Sequence, residues 1–230
     1  GRPVVQRDQL PGPIFRPAPL WDVYHLQRDW YLLTIPPGTP SGLYWPSVGL
    51  YDYETRDRLA AFDDRGQPLD DGLRLPPIKI VNSPARAPEQ SLRAQFGDLA
   101  VLQGYDLQTP AGGLAAGRAL TLTLYFKDEK TTAASYTRFV HLSNAMGSVI
   151  AGADALPQGG ANPTWSWQPG EIVADQAVLA VPPDTPPGSY RLSVGLYDAQ
   201  AGGARLPVRD GAGRPWPDAE APLGEVRIGP

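Results

Sequence analysis

The chain contains a long internal repeat with an offset of 146 residues. Residues 35–52 (IPPGTPSGLYWPSVGLYD) align without a gap with residues 181–198 (VPPDTPPGSYRLSVGLYD), and the alignment extends back to Gly1, which pairs with Gly147. Of these 52 pairs of residues, 20 are identical. They include Asp8/Asp154, Pro11/Pro157, Trp21/Trp167, Asp29/Asp175 and Tyr44/Tyr190. Identity spread over this length indicates a duplicated structural module, because each copy has to specify the same fold.

The two copies differ in completeness. The match continues with small shifts to the end of the first copy, whereas residues from about 94 to 146 have no counterpart in it. We therefore predict that copy 1 (residues 1–80) is the C-terminal part of a module, truncated at its N-terminus, and that copy 2 (residues 94–230) is complete. Between them, residues 81–93 have the composition of an exposed, extended linker.

Apolar alternation with a period of two predicts β-strands in copy 2. Proline (27 residues) and glycine (25 residues) are abundant and break helices, which favours many short strands joined by turns. The predicted strands lie near residues 98–107, 120–126, 135–142, 147–153, 171–181, 190–196, 204–209 and 224–228. About eight strands without a helical stretch predict an all-β fold, made of tandem antiparallel β-sandwich modules of the immunoglobulin- or fibronectin-like kind.

Two local features of the predicted sandwich repeat in both copies. A proline-rich string ends at Tyr44 in copy 1 and at Tyr190 in copy 2, and it predicts a stiff corner at which the tyrosine hydroxyl bonds to the backbone upstream. The period-two pattern predicts that Arg191 and Ser193 face outward. It also predicts that four apolar residues are buried, namely Val48, Leu50, Val194 and Leu196.

Charge and composition exclude several classes of partner and site. The net charge of -4 and the sequence pI near 5.2 leave no basic footprint for nucleic acid. No apolar run reaches the roughly 18 residues that would cross a bilayer, so we expect no direct membrane insertion of this segment. The chain contains no cysteine, which removes disulfides, thiolate zinc sites and cysteine nucleophiles together.

No catalytic pattern is recognisable in the sequence. Ser47 and Ser193 occur in Ser-Val-Gly strings, but the glycine that precedes the serine in a nucleophile elbow is missing at both. His25 and His141 lie in different copies, without repeated counterparts or a nearby cluster of ligands. We therefore predict no catalytic residue, no cofactor and no metal site, and thus a segment that is not an enzyme.

Two acidic groups leave alternatives open. The loop from Asp63 to Asp71 is rich enough in carboxylates to suggest calcium, but it lacks the alternating spacing of an EF-hand, and a solvated hairpin turn is the competing interpretation. Glu171 and Asp175 could form paired carboxylates on one face of a strand. Only Asp175 has an identical counterpart, Asp29, which favours a role in the fold.

Exposed aromatic residues without a repeated counterpart are the best candidates for a ligand-stacking surface. Aromatic rings in this role stack on the faces of sugars, whereas aromatics matched in both copies favour packing. The candidates are Trp30, Trp45, Trp165 and Trp216. Ordinary surface or interface aromatics are the competing interpretation.

Three strings in copy 2 resemble a known module. They are YTRFVHL at residues 136–142, WQPGEIV at residues 167–173 and PPDTPPGSYRLSVGLYD at residues 182–198. Together they are similar to the soluble β-sandwich tail of bacterial, Chloroflexi-type, protein-mannosyltransferase-like membrane glycosyltransferases. The resemblance implies an extracytoplasmic segment tethered through a membrane-embedded region, where the transferase chemistry would reside. Copy 1 departs from the pattern, with WDVY at residues 21–24 where copy 2 has WQPG.

Two functions follow as expectations. The first is a non-catalytic accessory or spacer segment of a larger membrane protein, implied by the resemblance to the glycosyltransferase tail. The second is a carbohydrate-binding module that holds glycans through the exposed aromatics. The truncation adds an expectation about partners, because inner faces built by Leu32, Ile35, Val48, Leu50 and Ile78 would lose part of their cover. We expect copy 2, or another chain in a homo-oligomer, to cover them.

Overall fold

The computed structural model describes residues 3–12, 20–22, 26–69, 72–82 and 86–230. The chain divides into two compact units, Gly1–Thr39 and Pro40–Pro230. The described residues of the first unit contain no strand. Two side chains order this unit locally: the Asp29 carboxylate accepts the backbone N–H of Gly12 at 2.9 Å, and the Thr39 hydroxyl donates to the Pro36 carbonyl at 2.7 Å.

The part of copy 1 in the second unit forms three two-stranded antiparallel sheets, in which β1 pairs with β6, β2 with β5 and β3 with β4. The strands are β1 (Gly42–Tyr44), β2 (Ser47–Val48), β3 (Ala61–Phe62), β4 (Pro68–Leu69), β5 (Leu73–Arg74) and β6 (Ile78–Ile80). Within the described residues, copy 1 therefore contains short two-stranded sheets and no sandwich of two full sheets.

Copy 2 is a β-sandwich of two sheets. Its strands are β7 (Gln90–Phe96), β8 (Ala100–Gln108), β9 (Leu114–Ala115), β10 (Ala119–Asp128), β11 (Tyr136–Ser143), β12 (Val149–Ala155), β13 (Ile172–Ala180), β14 (Gly188–Asp198), β15 (Ala204–Arg205), β16 (Val208–Asp210) and β17 (Ala221–Gly229). One sheet has the order β13-β10-β8-β7-β16 and the other β12-β11-β14-β17-β9, with β15 beside β14. All pairs are antiparallel except β9 with β17. The predicted all-β sandwich class is confirmed.

One hydrophobic core lies between the two sheets of copy 2. Alternate residues of β10 (Leu120, Leu122 and Leu124) meet alternate residues of β14 (Leu192 and Val194), all fully or almost fully buried. The period-two pattern produces this arrangement because successive side chains on a strand point to opposite faces. Phe126 packs beside Trp167, with ring centroids 6.0 Å apart.

The linker between the copies is shorter and better anchored than the sequence predicts. β7 begins at Gln90, inside the range 81–93, and this strand was missed by the sequence analysis. On the copy 1 side, the backbone of Asn82 both donates to and accepts from the Ser41 hydroxyl. On the copy 2 side, Arg86 pairs with the buried Asp106 at 2.8 Å. The connector is therefore held at both ends.

The burial prediction holds in copy 2 and is wrong in copy 1. Val194 and Leu196 are fully buried, and Arg191 on the same strand is exposed. Val48 and Leu50 are 48% and 45% exposed, because no second sheet among the described residues packs over them. The other residues of the expected inner faces, Leu32, Ile35 and Ile78, are exposed as well.

The predicted tyrosine corner is present in both copies. The Tyr190 hydroxyl donates to the Pro186 carbonyl at 2.8 Å, and the Tyr44 hydroxyl donates to the Pro40 carbonyl at 2.9 Å. In each case the acceptor lies four residues upstream, so the proline-rich string forms the same closed corner in a complete module and in a partial one.

Candidate functional site

The four candidate stacking residues occupy different surroundings. Trp30, in the first unit, is 81% exposed. Trp45 directly follows β1 and Trp165 lies in the short 3₁₀ helix Thr164–Ser166, and both are about half exposed. Trp216 is partly buried and packs against the core of copy 2. Within the described part of the second unit, no ring contact joins Trp45, Trp165 and Trp216, and their stacking role stays a prediction.

Copy 1 and copy 2 meet at a junction between the β1–β6 sheet and the loop before β13. The Leu43 N–H donates to the Ala161 carbonyl at 2.8 Å. Gly42 allows this approach, because a Cβ at that position would lie 3.0 Å from the same carbonyl oxygen. Leu43 is paired across the sheet with Lys79, so the side chain of Lys79 also reaches the loop.

Lys79 is bound in a buried polar pocket of copy 2. Its Nζ donates to Asn162 Oδ1 at 2.5 Å and pairs with Glu171 Oε1 at 3.0 Å. The Lys79 side chain is 13% exposed and the Glu171 side chain is fully buried. Asn162 Nδ2 donates to the same Glu171 oxygen, and Ser166 Oγ donates to Asn162 Oδ1. We call these four residues the junction cluster.

A second buried carboxylate lies close to the junction cluster. Asp128 is completely buried at the end of β10, and among the described residues neither of its carboxylate oxygens has a hydrogen-bond partner at normal distance and angle, although the backbone N–H of Lys130 lies near enough to lower its pKa slightly. Burial, together with the nearby negative charge of Glu171, raises the pKa of Asp128 to about 6. This carboxyl therefore takes up its proton at a higher pH than an ordinary aspartate does.

Glu171 and Asp175 each bind a different side chain, Lys79 and Arg138 respectively. Asp175 Oδ2 accepts Arg138 Nε of β11 at 3.0 Å, and Asp175 Oδ1 accepts the Gln158 N–H at 2.7 Å. Burial raises the pKa of Asp175, and the charge of Arg138 offsets part of that effect. The Arg138–Asp175 pair joins the two sheets of the sandwich, so it serves the fold.

A serine, a glutamate and a histidine come together on the six-stranded sheet, which the sequence analysis did not foresee. Glu220 Oε1 lies 3.0 Å from His141 Nδ1 and 2.9 Å from an Arg205 nitrogen, and Ser193 Oγ donates to Glu220 Oε2. Burial alone would raise the pKa of Glu220, but the hydrogen bonds from Ser193 and His141 and the charges of His141 and Arg205 hold it below its ordinary value. His141 and Glu220 are 79 residues apart, so no sequence motif could reveal the group.

The order of these three residues does not activate a nucleophile. In a catalytic triad the imidazole stands between the hydroxyl and the carboxylate and takes the hydroxyl proton. Here the carboxylate of Glu220 stands between Ser193 and His141 and accepts from the serine directly. Arg205 also covers the Phe139 ring at 4.5 Å, which packs the group against the sheet. The arrangement therefore links β11, β14 and β15 to the residue before β17 on the outer face of the sheet.

Asp63, the first residue of the acidic loop, has a structural role. Asp63 Oδ1 accepts the backbone N–H groups of Arg65 and Gln67 and so closes the turn between β3 and β4. Asp210, its counterpart in copy 2, closes the equivalent turn through Ala212 and Arg214. Asp70, Asp71 and His25 lie outside the described residues.

Two kinds of feature are absent from the described residues. No group of three or more histidine, cysteine or acidic side chains in them is arranged to hold a metal ion. No helix in this part of the chain is both long and apolar enough to cross a membrane.

Comparison with known proteins gives a distant structural likeness. No family model matches the chain, and no curated protein matches it. Among solved structures, the chain is similar to the crystal structure of the C-terminal domain of wzt, with a TM-score of 0.38 and 15% sequence identity. The likeness covers 63% of this chain and 78% of that domain. The proposed tie to membrane glycosyltransferases therefore rests on the three strings quoted above.

Proposed function

We propose that the chain is a non-catalytic accessory segment that acts as a stiff spacer in a larger, extracytoplasmic membrane protein. The junction cluster is the observation that supports this function. A spacer has to keep successive modules in one orientation, and an ion pair with a fully buried glutamate restricts rotation far more than a solvated linker does. The other polar groups that resemble catalytic sites are engaged in bonds that hold the sandwich together.

The stiffness of the junction can be measured by distance distributions between two spin labels. The chain contains no cysteine, so Glu54→Cys in copy 1 and Asp184→Cys in copy 2, both exposed positions, would be labelled uniquely. We expect a narrow distribution in the parent chain. Lys79→Met should broaden it, because Lys79 supplies the ion pair across the junction.

Lys127→Met is the matched control for this measurement. Lys127 also pairs with a glutamate, Glu129, at 3.2 Å, but both side chains are about two-fifths exposed and lie within copy 2. This control should leave the distribution unchanged. A distribution that is equally narrow in the Lys79→Met chain, or broad in the parent, would rule out the junction as the basis of a stiff spacer.

Attachment to a membrane glycosyltransferase and an extracytoplasmic location are the finer parts of this proposal. They are supported by the resemblance of residues 136–142, 167–173 and 182–198 to the transferase tail module. Both parts can be tested on the complete gene sequence that encodes the chain. Membrane-spanning helices in the same polypeptide would support the attachment, and a secretion signal without such helices would contradict it.

Carbohydrate binding is the second candidate, and the exposure of three tryptophans favours it. Trp30, Trp45 and Trp165 are 81%, 46% and 49% exposed, and an exposed indole face is suited to stacking on a sugar ring. A glycan array probed with the parent chain and with Trp45→Ala and Trp165→Ala variants tests this function. Glycan signals that these variants lose would support carbohydrate binding. An array without signal would contradict carbohydrate binding and leave the spacer function as the single proposal.

A further inference from the structure

Several strand pairings within the repeated part occur in both copies. β1 and β6 pair Gly42 with Ile80, and β14 and β17 pair the equivalent Gly188 with Ile228. Three further pairings correspond in the same way. They are Ser47–Arg74 with Ser193–Pro222, Tyr51–Arg58 with Tyr197–Arg205, and Phe62–Pro68 with Arg209–Pro215. The strands of copy 1 therefore pair with each other in the same register as the equivalent strands of copy 2.

Two strands whose only pairing partner lies in the unrepeated part, β12 and β13, have no counterpart strand in copy 1. We call residues 86–146, which contain β7 to β11, the front half of copy 2. In copy 2, β12 pairs with β11 and β13 pairs with β10, so both depend on the front half. Their counterparts in copy 1, residues 3–9 and 26–34, are described and contain no strand. The same sequence pattern therefore forms a strand only where its partner is present.

Residues equivalent to the core of copy 2 are exposed in copy 1. Val194 and Leu196 are fully buried, whereas their counterparts Val48 and Leu50 are about half exposed. The counterparts of Ala221, Leu223 and Val226 behave in the same way. They are Leu73, Leu75 and Ile78, which are 52%, 38% and 47% exposed. A large exposed apolar face is uncommon on a protein surface and usually marks a site where another molecule binds.

The surroundings of Gly49 differ most clearly from those of its counterpart in copy 2. In copy 2 the equivalent Gly195 is covered by the Phe139 ring, and a Cβ there would lie 2.0 Å from a ring atom. Phe139 belongs to the front half. In copy 1 no atom of the described residues lies within 4 Å of a Cβ at Gly49. A glycine at this position is therefore required only when an aromatic ring from a front half packs on it.

We infer that residues 1–80 are an acceptor half-module, and that their partner is a front half of the same kind of module. Such a partner supplies strands with the pattern of β7 to β11. Its β11 equivalent would pair along β1 and β2, as β11 pairs along β14, and would place an aromatic ring on Gly49. Its equivalent of Arg138 would reach Asp29, which already accepts the Gly12 N–H as Asp175 accepts that of Gln158.

The features of copy 1 favour this occupant over a second copy of the chain packed face to face. Two acceptor halves in contact would cover apolar side chains, but they would supply no strand to residues 3–9 or 26–34 in the register of β12 and β13. They would also leave Gly49 without its ring. Only a polypeptide equivalent to the front half satisfies the open strands, the apolar face and the glycine together.

Joining residues 86–146 of this chain directly ahead of Gly1 tests the inference, because Gly1 aligns with Gly147. Hydrogen exchange of the joined chain is compared with that of the parent chain. We expect amides in residues 26–34 and 47–50 to exchange at least about tenfold more slowly in the joined chain, as amides in newly paired strands do. Amides of β10 in copy 2 show in both chains that the sandwich is folded.

Gly49→Ala provides the matched control. In the parent chain it should change nothing, whereas in the joined chain it should abolish the added protection, because the added copy of Phe139 can no longer pack. Three results would overturn the inference: no added protection in the joined chain, added protection that survives Gly49→Ala, or equal protection reached in the parent chain simply by raising its concentration. The last result would assign the acceptor face to a second copy.

Discussion

Two tyrosine hydroxyls close equivalent corners in the two copies, and each bond can be tested by removing one oxygen. Tyr190→Phe should lower the free energy of unfolding by about 1 kcal/mol, because the Pro186 carbonyl loses its donor in a largely buried corner. Tyr44→Phe should have a smaller effect, since Tyr44 is less buried. Urea unfolding measures both, and equal midpoints for Tyr190→Phe and the parent would contradict a role for this hydroxyl.

The buried ion pair between Arg138 and Asp175 gives a larger prediction. Arg138→Met should destabilise copy 2 by about 3–5 kcal/mol, because it leaves the Asp175 carboxylate buried without its charged partner. The double change Arg138→Met with Asp175→Leu should recover part of that loss, since no buried charge remains. Denaturant unfolding of the two variants decides this, and a double variant that is less stable than the single one would contradict it.

Asp128 predicts a dependence of stability on pH. Its pKa is about 6 in the folded protein and 3.8 in an unperturbed carboxyl, so the folded state binds the proton more tightly. The stability that this group contributes is therefore complete below about pH 4 and is lost as the pH rises to about 6. A pKa shift of this size corresponds to a change of about 3 kcal/mol in the free energy of unfolding.

Asp128→Asn should consequently stabilise the protein at about pH 7.5 and have little effect at about pH 4, as measured by denaturant unfolding at the two values. Asp98→Asn is the control, because Asp98 is exposed and paired with Lys130, which lowers its pKa. A gain of the same size at both pH values would show that the Asp128 carboxylate is not the titrating group.

Among the strands, the same pattern behaves differently according to its partners. β13 is paired along its whole length with β10, whereas the equivalent residues 26–34 form no strand. Amides of β13 that bond to β10 should therefore exchange only slowly, and those of residues 26–34 should exchange close to the rate of an unstructured peptide. Hydrogen exchange with peptide-level readout measures both segments in one experiment. Comparable protection of the two would mean that residues 26–34 have a partner in solution.

Across the whole molecule, the hydrophobic core is confined to copy 2. Every residue of the main buried cluster lies between Ala94 and Ile228, and most large apolar residues of copy 1 are exposed. The stability of the chain should therefore be unevenly distributed, with copy 1 opening locally while copy 2 remains folded.

Limited proteolysis should show this difference. Trypsin is expected to cleave first at exposed arginines of copy 1, such as Arg28, Arg65 and Arg74, and to leave a fragment that contains the sandwich of copy 2. Mass spectrometry of the early fragments provides the measurement. First cuts within copy 2 strands would show that the sandwich is the less stable part.

The duplication, the all-β class, the principal strands of copy 2 and the two tyrosine corners could all be predicted from the amino-acid sequence. These features depend on residues close together in the chain, where alternation, prolines and turn residues act locally. The sites were less predictable, because the partners of Lys79, Arg138 and His141 lie 37 to 92 residues away in sequence.

Which apolar residues are buried depends instead on contacts between distant parts of the chain. Ser-Val-Gly-Leu-Tyr-Asp occurs identically at residues 47–52 and 193–198, yet Val194 is fully buried and Val48 is about half exposed. Burial depends on the strand that pairs alongside and on the sheet that packs opposite. In copy 2 those are β11 and the five-stranded sheet, both built largely from the front half. Local sequence sets the direction in which a side chain points, and distant strands determine whether anything covers it.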